Sequence, residues 1–354
     1  MTSLTSEMLT PTDEADLAWD PEVVATAPVM PTRLIRPLGD AASDGEAWGV
    51  AAVGADASRF DGSGVIVAVL DTGIDASHPA FAGVALEERD FTGAGMADVN
   101  GHGTHCAGVI FGQDVDGHRI GVARGVRRAL IGKVLGDDGS GDSEMVFDAL
   151  HWASAGGANV ISMSLGFDFP GLVEELASQG WPVRLATSVA LEAYRANLIM
   201  FNAVMAELKA GRAFGRDVLV VAASGNESER ATDPKFRIAA SLPSAAEEVL
   251  AVAALGRGAG GLEVAPFSNI GAKLSGPGVD ILSAWPGGGL RSLSGTSMAC
   301  PHVAGVAALW WEAVASRGKA GAFNVGAKVV ASCTRVGLAD TAQEDVGEGL
   351  VRAP

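Results

Sequence analysis

The sequence predicts an α/β fold: a doubly wound, mostly parallel sheet with helices on both faces, plus a helical insertion. Two observations predict it. Continuous apolar runs rich in β-branched residues recur along the chain, the composition of strands buried on both faces of a parallel sheet. Helical segments fall between them, and such alternation builds a sheet whose site lies at the carboxyl ends of its strands.

From Met1 to about Asp44 the chain is acidic, carries five prolines and shows no sustained apolar period, so an extended arm is expected over 1–44, ahead of a body over 45–354. The first strand is Gly64-Val-Ile-Val-Ala-Val-Leu70, and a helix is expected over 102–111. Ala129-Leu-Ile-Gly-Lys-Val-Leu135 repeats the strand pattern, followed by a helix over 143–155. Asn159-Val-Ile-Ser-Met-Ser-Leu165 and Asp217-Val-Leu-Val-Val-Ala-Ala223 are the next two strands, and 296–315 is the last long helix. Between them Leu191, Tyr194, Leu198, Phe201, Met205 and Leu208, spaced three and four apart, form a helical apolar stripe.

Composition narrows the function. The 354 residues are 48% apolar, enough for a sizeable core. Lys and Arg number 25 against 42 Asp and Glu, a net charge of -17, and that field repels nucleic acid and favours cationic partners. The first basic residue is Arg33, behind Glu7, Asp13, Glu14, Asp16, Asp20 and Glu22, the opposite of a secretory leader. No apolar stretch reaches the roughly 18 residues of a membrane span. Three cysteines, Cys106, Cys300 and Cys333, fit a reducing compartment better than a disulfide framework, so a cytoplasmic location is expected.

Three short stretches carry the chemistry. Val67-Ala-Val-Leu-Asp71-Thr-Gly-Ile-Asp75 places a carboxylate where a buried strand turns sharply. Asn100-Gly-His102-Gly-Thr-His105-Cys106-Ala-Gly108 opens a helix on an imidazole, and Gly295-Thr-Ser297-Met-Ala-Cys-Pro301-His-Val-Ala-Gly305 opens another on a hydroxyl. A serine at a helix N-terminus meets a dipole and free N–H groups that favour developing negative charge. Carboxylate, imidazole and hydroxyl are the groups of serine hydrolysis, and they stand in the subtilisin order Asp, His, Ser. Asp71 is expected to orient His102, and His102 to take the proton of Ser297. Asp75 is the rival acid, four residues later beside His78-Pro79. The spacing of His102 and His105 fails the zincin pattern, so no metal site is expected. Ala299 breaks the Gly-x-Ser-x-Gly elbow of the α/β-hydrolases.

From about Trp48 to Val351 the chain resembles the subtilisin-like serine proteases, on these three blocks and a fourth, Val220-Val-Ala-Ala-Ser-Gly225-Asn226-Glu. The resemblance implies that Asn226 donates its side-chain amide to the oxyanion, and that Gly139-Ser140-Gly141 and Ser164-Leu165-Gly166 are the edges clasping a peptide or protein substrate as an added strand. It implies a serine endopeptidase, serving general intracellular proteolysis or the maturation of one peptide precursor. A non-catalytic peptide-binding module on the same fold is the alternative, but no triad residue is lost.

The sequence departs from the family in four places. Gly166 and Asn226 are 60 positions apart, about double the usual spacing, which marks an insertion at about 167–216 that packs onto the body, walls the cleft or carries a dimer contact. Phe167 stands where a small residue is usual, beside the first specificity pocket. No cofactor is required for this chemistry; the resemblance leaves room for structural calcium, but the family's tight site takes a carboxylate nine residues after the catalytic Asp, and here that residue is Ala80, so no tight calcium is expected there. Pro31-Thr-Arg-Leu-Ile-Arg-Pro-Leu38 resembles the leader of intracellular subtilisins that lies across the cleft and blocks it, with Arg36 interrupting the match, so the arm reads either as autoinhibitory or as an ordinary linker. Cys106, one turn after His102, matches the free thiol of proteinase K; Cys300 follows Ser297 by a turn, and Cys333 is expected to be structural.

Overall fold

The computed structural model describes residues 4–42, 47–339 and 341–354. In chain order the strands are β1 (Pro31–Leu34), β2 (Leu38–Ala42), β3 (Ile66–Asp71), β4 (Ala85–Asp90), β5 (Arg128–Lys133), β6 (Ser140–Asp142), β7 (Val160–Met163), β8 (Leu165–Phe167), β9 (Leu219–Ala223), β10 (Val249–Gly258), β11 (Gly261–Val264), β12 (Leu274–Pro277), β13 (Ile281–Trp285) and β14 (Gly289–Ser294). The central sheet runs β11-β10-β9-β7-β3-β5-β4, with β12 also paired to β10. Every pairing in it is parallel except β10 with β11.

The expected runs are strands because both their faces are buried. In β3, Val67 and Val69 enter one apolar layer while Ala68 and Leu70 enter the other. Helices cover each layer as the doubly wound arrangement requires. On the first side, α2 (Trp48–Ala52) and α3 (His102–Phe111) bury residues in the first layer, whereas α1 (Pro11–Trp19) belongs to the arm. The second layer is covered by α4 (Ser143–Ala155) and, beyond α5 (Phe169–Ser178), by α6 (Val183–Ala210). The chain then returns to the first layer with α7 (Thr296–Ala315) and α8 (Ala322–Ala331), and α9 (Gln343–Val346) follows. The helices α3, α4 and α7 occupy the expected ranges.

The arm differs from the extended segment expected. Its α1 has a reciprocal cap between Thr10 and Asp13 and a proline at its first turn, local signals strong enough to start a helix in an acidic stretch. Further on, β1 lies antiparallel between β6 and β8, and β2 joins β14. The expected end of the arm at 44 lies outside the described residues.

The insertion is helical, built from α5 and α6, and α6 packs onto the body. Its inward face carries Ala186, Ala190, Ala193, Asn197, Phe201, Met205 and Leu208. Leu191, expected in the buried stripe, is 50% exposed, because small alanines rather than leucines meet the body over the first half of the helix. Phe201 packs on Phe147 of α4 and on Phe167, whose ring therefore points into the insertion. The Tyr194 hydroxyl accepts from Leu242 N, and the Asn197 amide donates to Pro28 O of the arm. The insertion thus both packs on the body and walls one end of the groove that β1 fills.

Candidate active site

Asp71 ends β3 and is 1% exposed. Its Oδ1 lies 2.7 Å from His102 Nδ1 and also accepts from Thr72 N at 2.8 Å. A carboxylate only accepts, so Nδ1 carries a proton and donates it to Asp71. The rival Asp75 is turned away, accepting from Ser77 and Gly287.

The first turn of α3 is held by a residue that sequence reasoning passed over. Asp98 Oδ1 accepts from Gly101 N and Thr72 Oγ1, both at 2.8 Å, while Oδ2 accepts from Thr104 N at 2.8 Å and Thr104 Oγ1 at 2.6 Å. Thr72 Oγ1 in turn accepts from Gly103 N at 2.9 Å. This ties the helix carrying His102 to the turn carrying Asp71; the available signal was an acid placed just ahead of a glycine-led helix. Gly103 is required, since a Cβ there would stand 2.2 Å from Gly73 O.

Ser297 sits in the first turn of α7, fully buried. Its neighbour Thr296 orients Asn226: Asn226 Oδ1 accepts from Thr296 N at 2.9 Å and from Thr296 Oγ1 at 2.8 Å, which leaves Asn226 Nδ2 facing the groove. The Asp71–His102 pair and the turn holding Ser297 and Asn226 meet through Cys106, whose Sγ lies 3.8 Å from His102 Nδ1 and 3.4 Å from Ser297 O. Ser297 Oγ donates to Ile35 O of the arm at 3.1 Å, and His102 Nε2 has no hydrogen-bond partner among the described residues. The expected His102–Ser297 hydrogen bond is not formed; the hydroxyl proton is directed instead to the arm's carbonyl.

The arm fills the groove as a peptide would. Thr32 and Arg33 pair with Gly141 and Ser140 on one side and with Phe167 and Gly166 on the other. Leu34 N donates to Gly139 O at 2.8 Å, and Leu34 pairs with Leu165. Of the expected edge residues, Gly139, Ser140, Gly141, Leu165 and Gly166 touch this strand, whereas Ser164 meets the nucleophile's turn, its Oγ donating to Ser297 O at 3.1 Å. Ile35 is buried beside Gly166, Ser241 and Leu242, since a Cβ on Gly166 would meet all three. Phe167 does not line that pocket, its ring being engaged with Phe147 and Phe201. One residue further, Arg36 O accepts from Asn226 Nδ2 at 3.0 Å.

Among the described residues, Asp71, His102 and Cys106 are the trio whose possible metal-ligand atoms converge. Burial, then the Asp71 charge, pushes the Cys106 thiol well above its ordinary value, so it stays protonated and is a poor ligand. Burial and the neighbouring His102 lower His105 to about 3, and its Nε2 bonds Ile281 O and Arg291 O as a neutral, structural ring. Cys300, raised to about 11 by burial, lies 3.5 Å from Ser162 Oγ. Cys333 is partly buried just after α8.

The family model for the Subtilase family (Peptidase_S8) matches residues 62–338, a stretch that contains Asp71, His102, Asn226 and Ser297. The chain belongs to the subtilase family. Among curated subtilases it is 34% identical over 310 residues to the subtilisin-like serine protease Pen c 1 of Penicillium citrinum, covering 83% of this chain and 65% of that protein. It is 36% identical to subtilisin Savinase of Lederbergia lenta over 74% of this chain and 82% of that one. The major intracellular serine protease of Bacillus subtilis is 33% identical over 72% of this chain and 70% of its own length. The chain thus spans 65% of the length of the Penicillium subtilases. No described helix is long and apolar enough to cross a membrane.

Proposed function

We propose that this subtilase is a serine endopeptidase acting on peptide or protein substrates through Asp71, His102 and Ser297. His102 Nε2 takes the Ser297 proton, Ser297 Oγ attacks the peptide carbonyl, and Asn226 Nδ2 with the Ser297 N–H holds the oxyanion. The imidazolium, held by Asp71, then protonates the leaving amine, and water resolves the acyl-enzyme. One observation carries the reading: a peptide backbone lies between the clasping edges with its carbonyls on Ser297 Oγ and Asn226 Nδ2. A fluorophosphonate probe should label the chain at Ser297 and fail on Ser297→Ala; absence of label on an arm-displaced chain would end the proposal.

The same geometry supports a zymogen. The carbonyl on Ser297 Oγ belongs to Ile35, whereas the carbonyl on Asn226 belongs to Arg36. Nucleophile and oxyanion donor are engaged by different carbonyls, and the base holds no hydroxyl, so the arm blocks the groove without being poised for cleavage. Three thiols without disulfide partners and the likeness to an intracellular protease support a cytoplasmic enzyme. The insertion lengthens the groove to reach Pro28 and favours a dedicated precursor over broad turnover.

We further propose that no tight calcium occupies the place marked by Ala80. Ala80 O already accepts from Gln113 N, the Gln113 amide donates to Phe111 O and Arg124 O, and Arg124 pairs with Asp114. These oxygens are satisfied by the chain's own donors, an arrangement that does not suit a hard cation needing six to eight of them.

A further inference from the structure

The groove's backbone contacts are indifferent to sequence, but one side-chain contact is not. The Arg33 guanidinium lies between two carboxylates from separate segments, with Nη1 3.1 Å from Asp168 Oδ1 and Nη2 3.5 Å from Glu227 Oε1. Both carboxylates are placed independently of it. Asp168 caps α5 by accepting from Gly171 N at 3.0 Å, and its own N–H donates to Pro31 O at 2.8 Å. Glu227 follows the oxyanion donor and is held through Oε2 by Asn269 Nδ2 at 2.7 Å. A planar guanidinium spans two such acceptors, whereas an ammonium reaches one.

We propose that Asp168 and Glu227 form a subsite for a cationic side chain, Arg above Lys, at the third residue before the cleaved bond of a substrate. The inference rests on the peptidase reading and extends it to substrate class. A substrate seated in the arm's register places its first residue before the cleaved bond where Ile35 faces Ser297, and its third where Arg33 lies between Ser140 and Gly166. Asp168 opens the insertion, so the added helices bring half of this subsite. The chain's net charge of -17 draws a cationic peptide from a distance, and the pair reads where its charge sits.

The test compares two peptides, Thr-Arg-Leu-Ile and Thr-Gln-Leu-Ile, each carrying a chromogenic amide after Ile, on the full chain. The Arg peptide should have the higher kcat/KM by about twofold to fivefold, mostly through KM, as befits a solvated ion pair. The ratio should fall toward one at about 1 M salt, where screening is nearly complete, and in the Asp168→Asn, Glu227→Gln chain. A ratio of one at low salt, or a ratio that survives the double substitution, overturns the inference. Turnover of the Gln peptide that vanishes in Ser297→Ala supports the peptidase reading separately. Should neither peptide be turned over, amide exchange at Leu34 N–H in the full-length Ser297→Ala chain decides. Arg33→Gln should speed it about twofold to fivefold, and should add nothing once Asp168 and Glu227 are neutralised; equal exchange with and without Arg33 overturns the subsite.

Discussion

Pro301 stands four residues after Ser297 in α7 and brings no N–H to the Ser297 carbonyl. That carbonyl is satisfied from outside the helix, by Ser164 Oγ at 3.1 Å and by Cys106 Sγ at 3.4 Å. Cys106 lies one turn after His102, so the gap left by a proline becomes a tie between the helix carrying His102 and the helix carrying Ser297. A second tie runs through Thr296, whose N–H and Oγ1 both donate to Asn226 Oδ1 and fix that side chain to the start of α7.

Cys106→Ala should therefore loosen the site beyond its own volume. It deletes a buried group and one donor to Ser297 O, and about 1–2 kcal/mol of stability should be lost. The raised thiol should react slowly with iodoacetamide at neutral pH. A mercurial that does reach it should inhibit, because Cys106 Sγ is 3.8 Å from His102 Nδ1. Full activity after complete labelling of Cys106 would refute this.

Asn226→Ala should lower kcat with little change in KM, since its amide is aimed at charge that appears only during attack. The scale, about 10²–10³, is subtilisin's own, carried over to this relative. Thr296→Val removes one of the two donors orienting Asn226 and should give a smaller loss in the same parameter. An effect confined to KM would argue that Asn226 binds substrate uniformly.

The α/β frame was legible where burial is symmetric. The runs at β3, β5, β7 and β9 are apolar on both faces, as strands inside a parallel sheet must be, and β10 shares that burial over Val249–Leu255. The edge strand β4, Ala-Leu-Glu-Glu-Arg-Asp, gave no such signal because one neighbour and solvent ask little of its side chains. In the site, Asp71, His102, Asn226 and Ser297 were visible because each sits in a block of glycines and small residues that its geometry demands. Asp168 and Glu227 were not, since they meet only through Arg33, a residue of the arm far from both in sequence. The unformed His102–Ser297 bond was equally invisible, being a consequence of how the arm lies.

Stability should fall as pH drops below neutrality. Burial lowers His105 to about 3 and His302 to about 4, against an ordinary value of 6.5. In this interval the unfolded chain binds protons that the folded one refuses, so unfolding gains at about 1.4 kcal/mol per pH unit for each group. The loss begins near 6.5 and for these two rings ends near 3 to 4. Urea midpoints of the intact chain should decline steadily over this window, and His105→Gln should flatten the slope. An unchanged slope in that variant would show that His105 takes up its proton while folded.

Calcium removal should leave the thermal midpoint unchanged. Gln113 donates to Ala80 O, Phe111 O and Arg124 O, and Arg124 pairs with Asp114, so on the proposed reading a chelator finds no ion held by these oxygens. Differential scanning with excess EDTA and with millimolar calcium should give superimposable transitions. A fall of several degrees with EDTA, reversed by calcium, would contradict the reading of that loop.

Displacing the arm should raise activity. Its strand is tethered to the groove it fills, so it competes at an effective concentration of about millimolar, well above most substrates. Deleting Met1 to Ala41 removes Ile35 from its pocket, frees Ser297 Oγ to bond His102 Nε2, and clears Asn226 Nδ2. Peptide hydrolysis should rise by about tenfold or more at substrate well below that concentration. The deletion also removes β2 from β14, and Ile35→Asp in the full chain serves as the companion variant. A carboxylate in the buried pocket beside Gly166 and Leu242 is costly to desolvate and should eject the arm while leaving β2 in place. Both variants folding with the activity of the parent would mean that the arm leaves the groove freely, and the zymogen reading would fall while the peptidase stood.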